Sequence, residues 1–516
     1  MLGKRTFVFS VNQLINITNV ILFIAAIVLI SIRVTKTQSK PKNTHPSNIP
    51  PPPNLNEMSY DELIEYHKTN YLKKYEKVTY LDYANNPILP GSIIENFTKN
   101  IHENLYGNPH SESPSAELST NVIEEVREKM LKFFNTNVSE YTLVFTYSHF
   151  HALKLLTESS SMDESTYFFY PPSSSNNILG LRSIAQKKKS NLKMVELNEI
   201  LNPDHKFMTM PENKTKFNLL VVPLVDEFDG TVLSKQQIKE ISAPKLTIPK
   251  NSNESSNEKK DAQSDKFGED SSIDKVTAIV VDASLYLQNN RLNLAETPFH
   301  AVAMSFEKMF GFPNIGCLLL HNSLIPHLKK PYFGGGTLVY ALTGASFEKL
   351  RLSPQDRFED GSLPFLSIAS IESGFDLIDS LQFNRIVDHL HTIKEYLHNK
   401  LHELRHMNGS PAVIIYGKDQ VSITTFNVLD KDSNIVNWNK VVNAAAQNDI
   451  YIVGGCFSTP GSCMRSLKID ESKIKEEVKS NSDIESFGAV RASFGWATTK
   501  KDIDNLITFL KNEFVH

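Results

Sequence analysis

The sequence predicts an α/β protein with a doubly wound, mainly parallel sheet in a large domain, a smaller C-terminal α/β domain and one N-terminal transmembrane helix. Short apolar runs of strand length alternate with helical patterns along most of the chain, which is typical of doubly wound sheets. Several of these runs are apolar at nearly every position, as in strands that helices cover on both faces. A longer apolar stretch near the N-terminus is just long enough to span a membrane.

The predicted strands and helices follow from these local patterns. Strands are predicted at residues 142–146, 166–170, 218–223, 277–282 and 315–321. Helical periodicity is present at residues 116–134, after Phe150 and at residues 383–404. In a doubly wound sheet, ligands bind outside the carboxyl ends of the strands.

Composition excludes several classes of function. The chain has 516 residues and a net charge of −4, and it shows neither a zinc-finger nor a basic-aromatic pattern, so no nucleic-acid partner is predicted. The cysteines are Cys317, Cys456 and Cys463, too few for the disulfide framework of a secreted domain. We therefore expect a reducing compartment for the bulk of the chain.

The N-terminus predicts a single-pass membrane anchor within residues 1–36. Residues 14–32 are mostly apolar, and Arg33 and Lys36 follow instead of a small-residue cleavage site, which favours an anchor over a cleaved signal peptide. Fewer basic residues precede the span than follow it, so the domain is expected to face the cytosol. The first acidic residue is Glu57, which leaves a mitochondrial presequence or membrane as the alternative.

Low-complexity stretches divide the rest of the chain. Residues 37–75 are predicted to be a linker that begins with a Pro-rich spacer. Residues 249–275 are rich in Ser, Asn, Lys, Asp and Glu, which predicts a disordered surface insertion. The large domain is then expected at residues 76–345 and the small domain at residues 346–516.

A lysine and an aspartate suggest chemistry with a carbonyl cofactor. Lys308 lies between two apolar runs and before a Gly-Phe-Pro turn, where its amine could bond to a cofactor carbonyl. Asp282 ends a β-branched run, where a carboxylate can keep a pyridine nitrogen protonated. The simpler alternatives are a solvated lysine and an aspartate that caps a strand end.

Seven motifs in the same order resemble the molybdenum cofactor sulfurase family, specifically its cysteine-desulfurase-like part. They are YLDYA (80–84), LYGNPHS (105–111), EYTLVFT (140–146), YFGGGT (332–337), RFEDGS (357–362), NVLD (427–430) and AVRASFG (489–495). The resemblance implies a fold-type-I enzyme of the class V aminotransferase type that uses pyridoxal 5′-phosphate (PLP) and forms a homodimer.

The resemblance also implies roles for individual residues. Lys308 matches the lysine that holds PLP, Asp282 the partner of the pyridine nitrogen, and Ser305 a phosphate contact. Arg491 matches the arginine that binds the substrate carboxylate, a task for which a guanidinium fork is suited. The alternative for Arg491 is a surface ion pair.

Several positions depart from the family pattern. Ser148, His149 and Phe150 replace the phosphate-binding Gly-Ser/Ala-Thr segment, although the backbone of a helix N-terminus can still bind phosphate there. Ser175 aligns near the residue that usually stacks on the cofactor ring, and Glu307 stands where an aromatic residue or histidine is usual. The His149-x-His151 pair lacks a third ligand, so no metal site is predicted.

The loop between Gly454 and Cys463 is the candidate sulfur carrier. Desulfuration needs a thiolate on a mobile loop that attacks the substrate sulfur and holds it as a persulfide. The cysteine usually assigned to this task falls on Ser458, and a hydroxyl cannot form a persulfide. Cys456 or Cys463 would then take the role, and the alternative is that both are ordinary loop cysteines.

The predicted function is PLP-dependent sulfur transfer from L-cysteine, with alanine as the by-product and the molybdenum cofactor as candidate acceptor. Complete family members carry a further cofactor-receiving domain, which we do not expect here because the sequence ends at His516. One alternative is a membrane-tethered, catalytically degenerate protein that acts as an interaction module. Another is a PLP lyase of the same fold that needs no cysteine.

Overall fold

The computed structural model describes residues 57–201, 217–242, 277–418, 421–479 and 487–516. These residues fall within one compact unit, Leu55–His516. The predicted anchor at residues 14–32 and the predicted insertion at 249–275 lie outside the described residues. Among the described residues, no helix is long and apolar enough to cross a bilayer. The membrane anchor stays a prediction.

Strands and helices alternate along the described residues. In chain order the strands are β1 (Thr79–Tyr80), β2 (Tyr141–Thr146), β3 (Tyr167–Tyr170), β4 (Asn191–Met194), β5 (Asn218–Pro223), β6 (Thr277–Asp282), β7 (Ala301–Ser305), β8 (Gly316–His321), β9 (Leu338–Ala341), β10 (Glu348–Leu350), β11 (Val413–Tyr416), β12 (Ile423–Val428), β13 (Ile450–Tyr451), β14 (Val453–Gly455) and β15 (Ala489–Ser493). The helices are α1 (Tyr60–Tyr71), α2 (Gly91–Glu103), α3 (Pro114–Phe133), α4 (His149–Ser159), α5 (Asn176–Leu179), α6 (Leu181–Lys187), α7 (Leu197–Ile200), α8 (Lys235–Ile241), α9 (Phe306–Phe310), α10 (Pro354–Phe358), α11 (Phe365–Leu381), α12 (Phe383–Glu403), α13 (Trp438–Gln447), α14 (Pro460–Leu467), α15 (Glu471–Lys479) and α16 (Lys500–Phe514).

The central sheet has seven strands in the order β2-β8-β7-β6-β5-β3-β4. Only β8 runs against its neighbours, β2 and β7, while the remaining pairs are parallel. Strands β5 to β8 are buried at every position, which is why their sequences read as unbroken apolar runs. The predicted mainly parallel sheet is confirmed, and all five predicted strands are present.

A second, antiparallel sheet in the C-terminal part has the order β11-β12-β15-β14. The hydrophobic core is continuous between the two predicted domains, since Phe145, Phe375 and Phe494 belong to the same cluster of buried side chains. The boundary between residues 345 and 346 stays a prediction.

The segment before residue 85 packs on the C-terminal part of the chain. Helix α1 begins at a capping box formed by Ser59 and Glu62, a typical helix start. Residues 60–71, inside the predicted linker, are therefore helical. The Tyr60 hydroxyl donates to the Trp496 carbonyl at 3.1 Å, and β1 pairs with β13. These contacts bring residues 80–85 beside β15 and the end of β6.

A buried ion pair connects α3 to the loop after α10. The two guanidinium nitrogens of Arg127 donate to the two carboxylate oxygens of Glu359 at 3.0 and 3.2 Å, and the Phe145 backbone N–H donates to the same carboxylate at 2.7 Å. Burial raises the pKa of Glu359, and the Arg127 charge opposes that shift. Removing one member would leave the other charge buried and unpaired, which is strongly destabilising.

We expect Glu359→Ala to lower the free energy of unfolding by about 3–5 kcal/mol, because Arg127 would remain buried without its main partner. Urea unfolding followed by circular dichroism measures this loss. The matched control is Glu124→Ala, since Glu124 contacts the same arginine at 3.2 Å but its side chain is 55% exposed. That control should change stability by roughly 0–1 kcal/mol, and equal effects of the two variants would contradict the prediction.

Candidate active site

The candidate site lies at the carboxyl edge of the central sheet. Strands β2, β3, β5, β6 and β7 run in the same direction, so the residues that follow them meet at one edge. Ser148 follows β2, Ser175 follows β3 and Glu227 follows β5, while Asp282 is the last residue of β6. Lys308 follows β7, in α9.

Lys308 is partly buried, and backbone carbonyls hold its amine. Its Nζ donates to the carbonyls of Ala84 at 2.8 Å and Asn85 at 2.5 Å. Ser305 caps α9, with its hydroxyl accepting from the Lys308 backbone N–H at 3.4 Å. Burial lowers the pKa of the Lys308 amine, and the nearby Glu227 carboxylate opposes that shift. At neutral pH more of this amine is neutral than at a surface lysine, which favours reaction with a carbonyl group.

Arg491 is fully buried in β15. Its Nη2 donates to the side-chain oxygen of Asn85 at 2.8 Å, and its Nη1 donates to the backbone carbonyl of Glu227 at 2.9 Å. The guanidinium lies 4.4 Å from the centre of the Phe457 ring. Asn85 therefore contacts both Lys308 and Arg491, which places the predicted cofactor lysine and the predicted carboxylate-binding arginine within the reach of one residue.

Four residues of the site were not predicted from the sequence: Asp82, Asn85, Glu227 and Phe457. Burial raises the pKa of Glu227, as does the neighbouring Asp282, while Arg491 and Lys308 oppose the shift. Burial likewise raises the pKa of Asp82, and Arg491 opposes it. Glu227 follows β5 closely, and its place after a buried strand is the signal that could have identified it.

Asp282 ends β6 at this edge of the sheet. Its carboxylate accepts from the Ser284 backbone N–H at 3.0 Å and its side chain is almost fully buried. Strand β6 pairs with β5 and β7 on either side, so the carboxylate is held at the middle of the edge where Glu227 and Lys308 also lie. The acid cannot move away from the site without breaking the sheet.

The start of α4 forms another wall of the site. Ser148 caps this helix, with its hydroxyl accepting from the His151 backbone N–H at 3.1 Å. The His149 ring contacts the Asn177 side chain at 3.2 Å, and Phe150 is 53% exposed. Gly316 of β8 lies close to the start of this helix. A β-carbon at Gly316 would stand 2.6 Å from the backbone nitrogen of His149, so a side chain at position 316 would displace the helix start.

Several buried polar atoms of the site have no hydrogen-bond partner within the described part of the chain. These atoms are Ser175 Oγ, Asp82 Oδ1 and Arg491 Nε. Unpaired buried polar atoms are rare and call for a specific explanation, of which a bound ligand is one. The amine of Lys308, the carboxylate of Asp282 and the start of α4 are the groups that PLP needs, so the residues present fit this cofactor.

The predicted sulfur-carrier loop connects β14 to α14. Its two cysteines are joined in a disulfide with Cα atoms 5.3 Å apart, a pairing that was not predicted. The sulfur-carrier role of Cys456 or Cys463 stays a prediction, and a persulfide can form on either one only after reduction. The remaining thiol, Cys317, is fully buried and burial raises its pKa, as is typical of an unreactive thiol.

Comparisons with known proteins agree with this geometry. An aminotransferase class-V family model matches residues 272–506. The human molybdenum cofactor sulfurase is 30% identical over 463 residues, which cover 85% of this chain and 50% of that protein. Over most of its length, the chain is therefore homologous to part of the molybdenum cofactor sulfurases. The sulfurase 2 of Aedes aegypti is 31% identical, with 84% of this chain and 58% of that protein covered, so the chain spans about half the length of the curated relatives it matches.

Solved structures confirm the fold. The apo cysteine desulfurase from Thermococcus onnurineus superimposes with a TM-score of 0.67 at 18% identity, covering 87% of this chain and 97% of that one. The cysteine desulfurase CsdA from Escherichia coli gives 0.65 at 15% identity, covering 87% and 98%. Another neighbour, with a TM-score of 0.61 at 14% identity, has glycine covalently linked to its PLP cofactor and covers 87% of this chain and 99% of that one. Together with the class-V match, these findings confirm the fold-type-I prediction and PLP as the family's cofactor.

Asp226 holds the cysteine loop by accepting a hydrogen bond from the Ser462 hydroxyl. Its carboxyl group is expected to make the stability of the protein depend on pH. Burial, with a smaller contribution from Asp229, raises the pKa of Asp226 to about 7. Its protonated form is therefore favoured in the folded state. The resulting stabilisation is present below the unfolded pKa of about 4 and is lost as pH rises through about 7.

We expect Asp226→Asn to weaken the fall in thermal unfolding midpoint between about pH 4 and 7, since an amide does not ionise. The measurement is the difference in midpoint between variant and wild type at each pH. The control is Asp432→Asn at an exposed position, which should follow the wild-type profile. A pH profile of Asp226→Asn that is parallel to wild type would show that Asp226 does not titrate in this range.

Proposed function

We propose that this chain uses PLP to remove sulfur from L-cysteine, with release of alanine. The observation that carries the proposal is the shared contact of Lys308 and Arg491 with Asn85. Through this contact the amine proposed to hold the cofactor and the guanidinium proposed to bind a substrate carboxylate lie beside the same residue. The relatives support an enzyme of this class, and none supports the degenerate alternative.

PLP, when bound, supplies an electron sink that weakens bonds near the Cα atom of an amino acid. Asp282 would face its ring nitrogen as a carboxylate and keep that nitrogen protonated. Lys308 would hold the cofactor and then, once released from it, carry protons to and from the substrate carbon, a task for which its lowered pKa is suited. Arg491 would bind the substrate carboxylate, and its unpaired Nε is the donor left for it.

We propose that Cys456, once reduced, receives the sulfur. It is partly exposed, and the next residue, Phe457, lies against the Arg491 guanidinium. After reduction, the Cys456 thiolate would attack the substrate sulfur, so that a sulfur–sulfur bond forms as the carbon–sulfur bond breaks. The bonding electrons stay with the substrate carbon, which takes up a proton and leaves as alanine.

The sulfur acceptor does not follow from the site described above, and the chain spans only about half of its sulfurase relatives. We propose the molybdenum cofactor as acceptor on the strength of those relatives. The alternative of a lyase that needs no cysteine agrees with one structural neighbour, a cystine C–S lyase in complex with cysteine persulfide. That neighbour is 15% identical and bears on the fold only.

We expect borohydride treatment of the PLP-loaded full chain to place a pyridoxyl group on Lys308, because its amine is partly buried at the edge where Asp282 lies. Peptide mapping by mass spectrometry gives the site. Lys308→Ala should carry no label and form no alanine from L-cysteine. In the active protein, Arg491→Lys should raise the KM for L-cysteine by about tenfold or more, since lysine lacks the planar fork. A label on another lysine, or none, would refute the proposed site.

We also propose a homodimer, which the resemblance implies. The hairpin β9–β10 and its flanks expose large apolar side chains, with Tyr332 68%, Tyr340 62%, Phe347 53% and Leu352 91% exposed. Large apolar side chains exposed along one segment of the chain often mark a protein interface. A second copy of the chain is its expected partner.

Leu352→Asp should shift the protein from dimer to monomer, because the patch would then bury an unpaired charge. Sedimentation velocity at several protein concentrations measures the mass. Met407→Asp is the matched control, since Met407 is 95% exposed but lies far along the chain in the C-terminal part, and it should leave the mass unchanged. A wild-type chain that sediments as a monomer throughout would exclude the dimer.

A further inference from the structure

The two cysteines of the loop differ sharply in their surroundings. Cys456 follows β14, whose first residue, Val453, pairs with Arg491 of β15, and its side chain is partly exposed. Cys463 lies in α14 and is fully buried, in a small cluster with Phe228 and Tyr416. An amino-acid substrate or a sulfur acceptor can therefore approach Cys456, whereas Cys463 is shielded from solvent and is bonded to Cys456.

We propose that Cys463 is a resolving thiol, which discharges a persulfide on Cys456 as sulfide and leaves the Cys456–Cys463 disulfide seen in the structure. The proposal rests on the proposed function for the origin of that persulfide. It adds a second outcome for the sulfur, in which the protein releases sulfide when no acceptor takes the sulfur first.

The step balances in atoms and electrons. The Cys463 thiolate attacks the sulfur of Cys456, the bond between that sulfur and the outer sulfur breaks, and the outer sulfur leaves as hydrosulfide. The outer sulfur is reduced by two electrons, which come from the two thiols as they form the disulfide. An external dithiol then reduces the disulfide and is itself oxidised, which resets the loop.

The contacts of the loop favour this reaction over delivery to a distant acceptor. The Ser458 carbonyl accepts from the Asn176 backbone N–H at 2.7 Å, and the Ser462 hydroxyl donates to Asp226. A β-carbon on Gly461 would stand 2.3 Å from the Pro172 carbonyl oxygen. These contacts fix the residues around the first turn of α14 against the large domain. Cys463 therefore remains close to Cys456.

The backbone between the two cysteines is held in an uncommon conformation. Phe457 and Ser458 have φ angles of 48° and 57°, in the left-handed region that residues other than glycine rarely adopt. Such a conformation persists only where surrounding contacts hold it. The contacts of Ser458, Gly461 and Ser462 do not involve the disulfide, so they keep Cys463 close to Cys456 after reduction as well.

The test uses the full chain loaded with PLP, reduced, freed of reductant and given one equivalent of L-cysteine. Wild type should release sulfide in step with alanine and end with the Cys456–Cys463 disulfide, which mass spectrometry detects. Cys463→Ser should still form alanine but keep the persulfide on Cys456, with sulfide release slowed about tenfold or more because the intramolecular thiol, at an effective concentration of millimolar order, is gone. Ser458→Ala alters the same loop without removing a thiol and should behave as wild type.

A second measurement separates this inference from the proposed function. Inorganic polysulfide can place a persulfide on reduced Cys456 without any PLP chemistry. Wild type should then release sulfide faster than Cys463→Ser, even if L-cysteine gives no alanine, which would reject the proposed function only. Equal sulfide release by the two proteins, or a stable persulfide in wild type with both cysteines still unpaired, would overturn the resolving role of Cys463.

Discussion

The double contact of Asn85 is the interaction on which the site depends. Its backbone carbonyl accepts from the Lys308 amine and its side-chain oxygen from the Arg491 guanidinium. A hydrogen bond to a charged donor contributes about 1.5–3 kcal/mol, so Asn85 holds both cationic groups against their mutual repulsion. Asn85 is itself positioned because β1, just before it in the chain, pairs with β13 and Asp82 bridges to Ser493. The N-terminal segment thus joins Lys308, in the helix after β7, to Arg491 of β15.

Buried acids provide the charge balance around these two cations. Glu227 and Asp82 each interact with both Lys308 and Arg491, and burial raises the pKa of both acids. Two buried cations without such neighbours would be strongly destabilising, because charges in a low-dielectric interior need partners. For Lys308, burial lowers the pKa and these acids oppose that shift. For Arg491, the same acids favour the charged form, which is the form that carboxylate binding requires.

The cysteine loop contacts the buried charged residues of the site, and the comparisons with relatives do not describe this contact. The ring of Phe457 packs on Arg491, so the loop that carries Cys456 is in contact with the residue expected to bind substrate. The Cys456–Cys463 disulfide places a second thiol beside the first. Substrate binding, sulfur transfer and the redox state of the loop are therefore linked through Phe457 and its two neighbouring cysteines.

Local sequence determined the features that depend on neighbouring residues. Strands β5 and β6 were predicted with their observed bounds because a strand covered on both faces must be apolar at every position. The roles of Lys308, Asp282 and Arg491 came from the family motifs around them. The helical nature of residues 60–71 was not predicted, because this helix is stabilised by contacts with the C-terminal part of the chain, such as that of Tyr60 with Trp496. Only the tertiary structure showed that Asn85 joins Lys308 and Arg491, that Glu227 enters the site and that Cys456 pairs with Cys463. The physical reason is that the contacts of Asn85 and Glu227 connect residues more than two hundred positions apart, and the disulfide depends on how α14 is fixed against the large domain, which no local pattern reports.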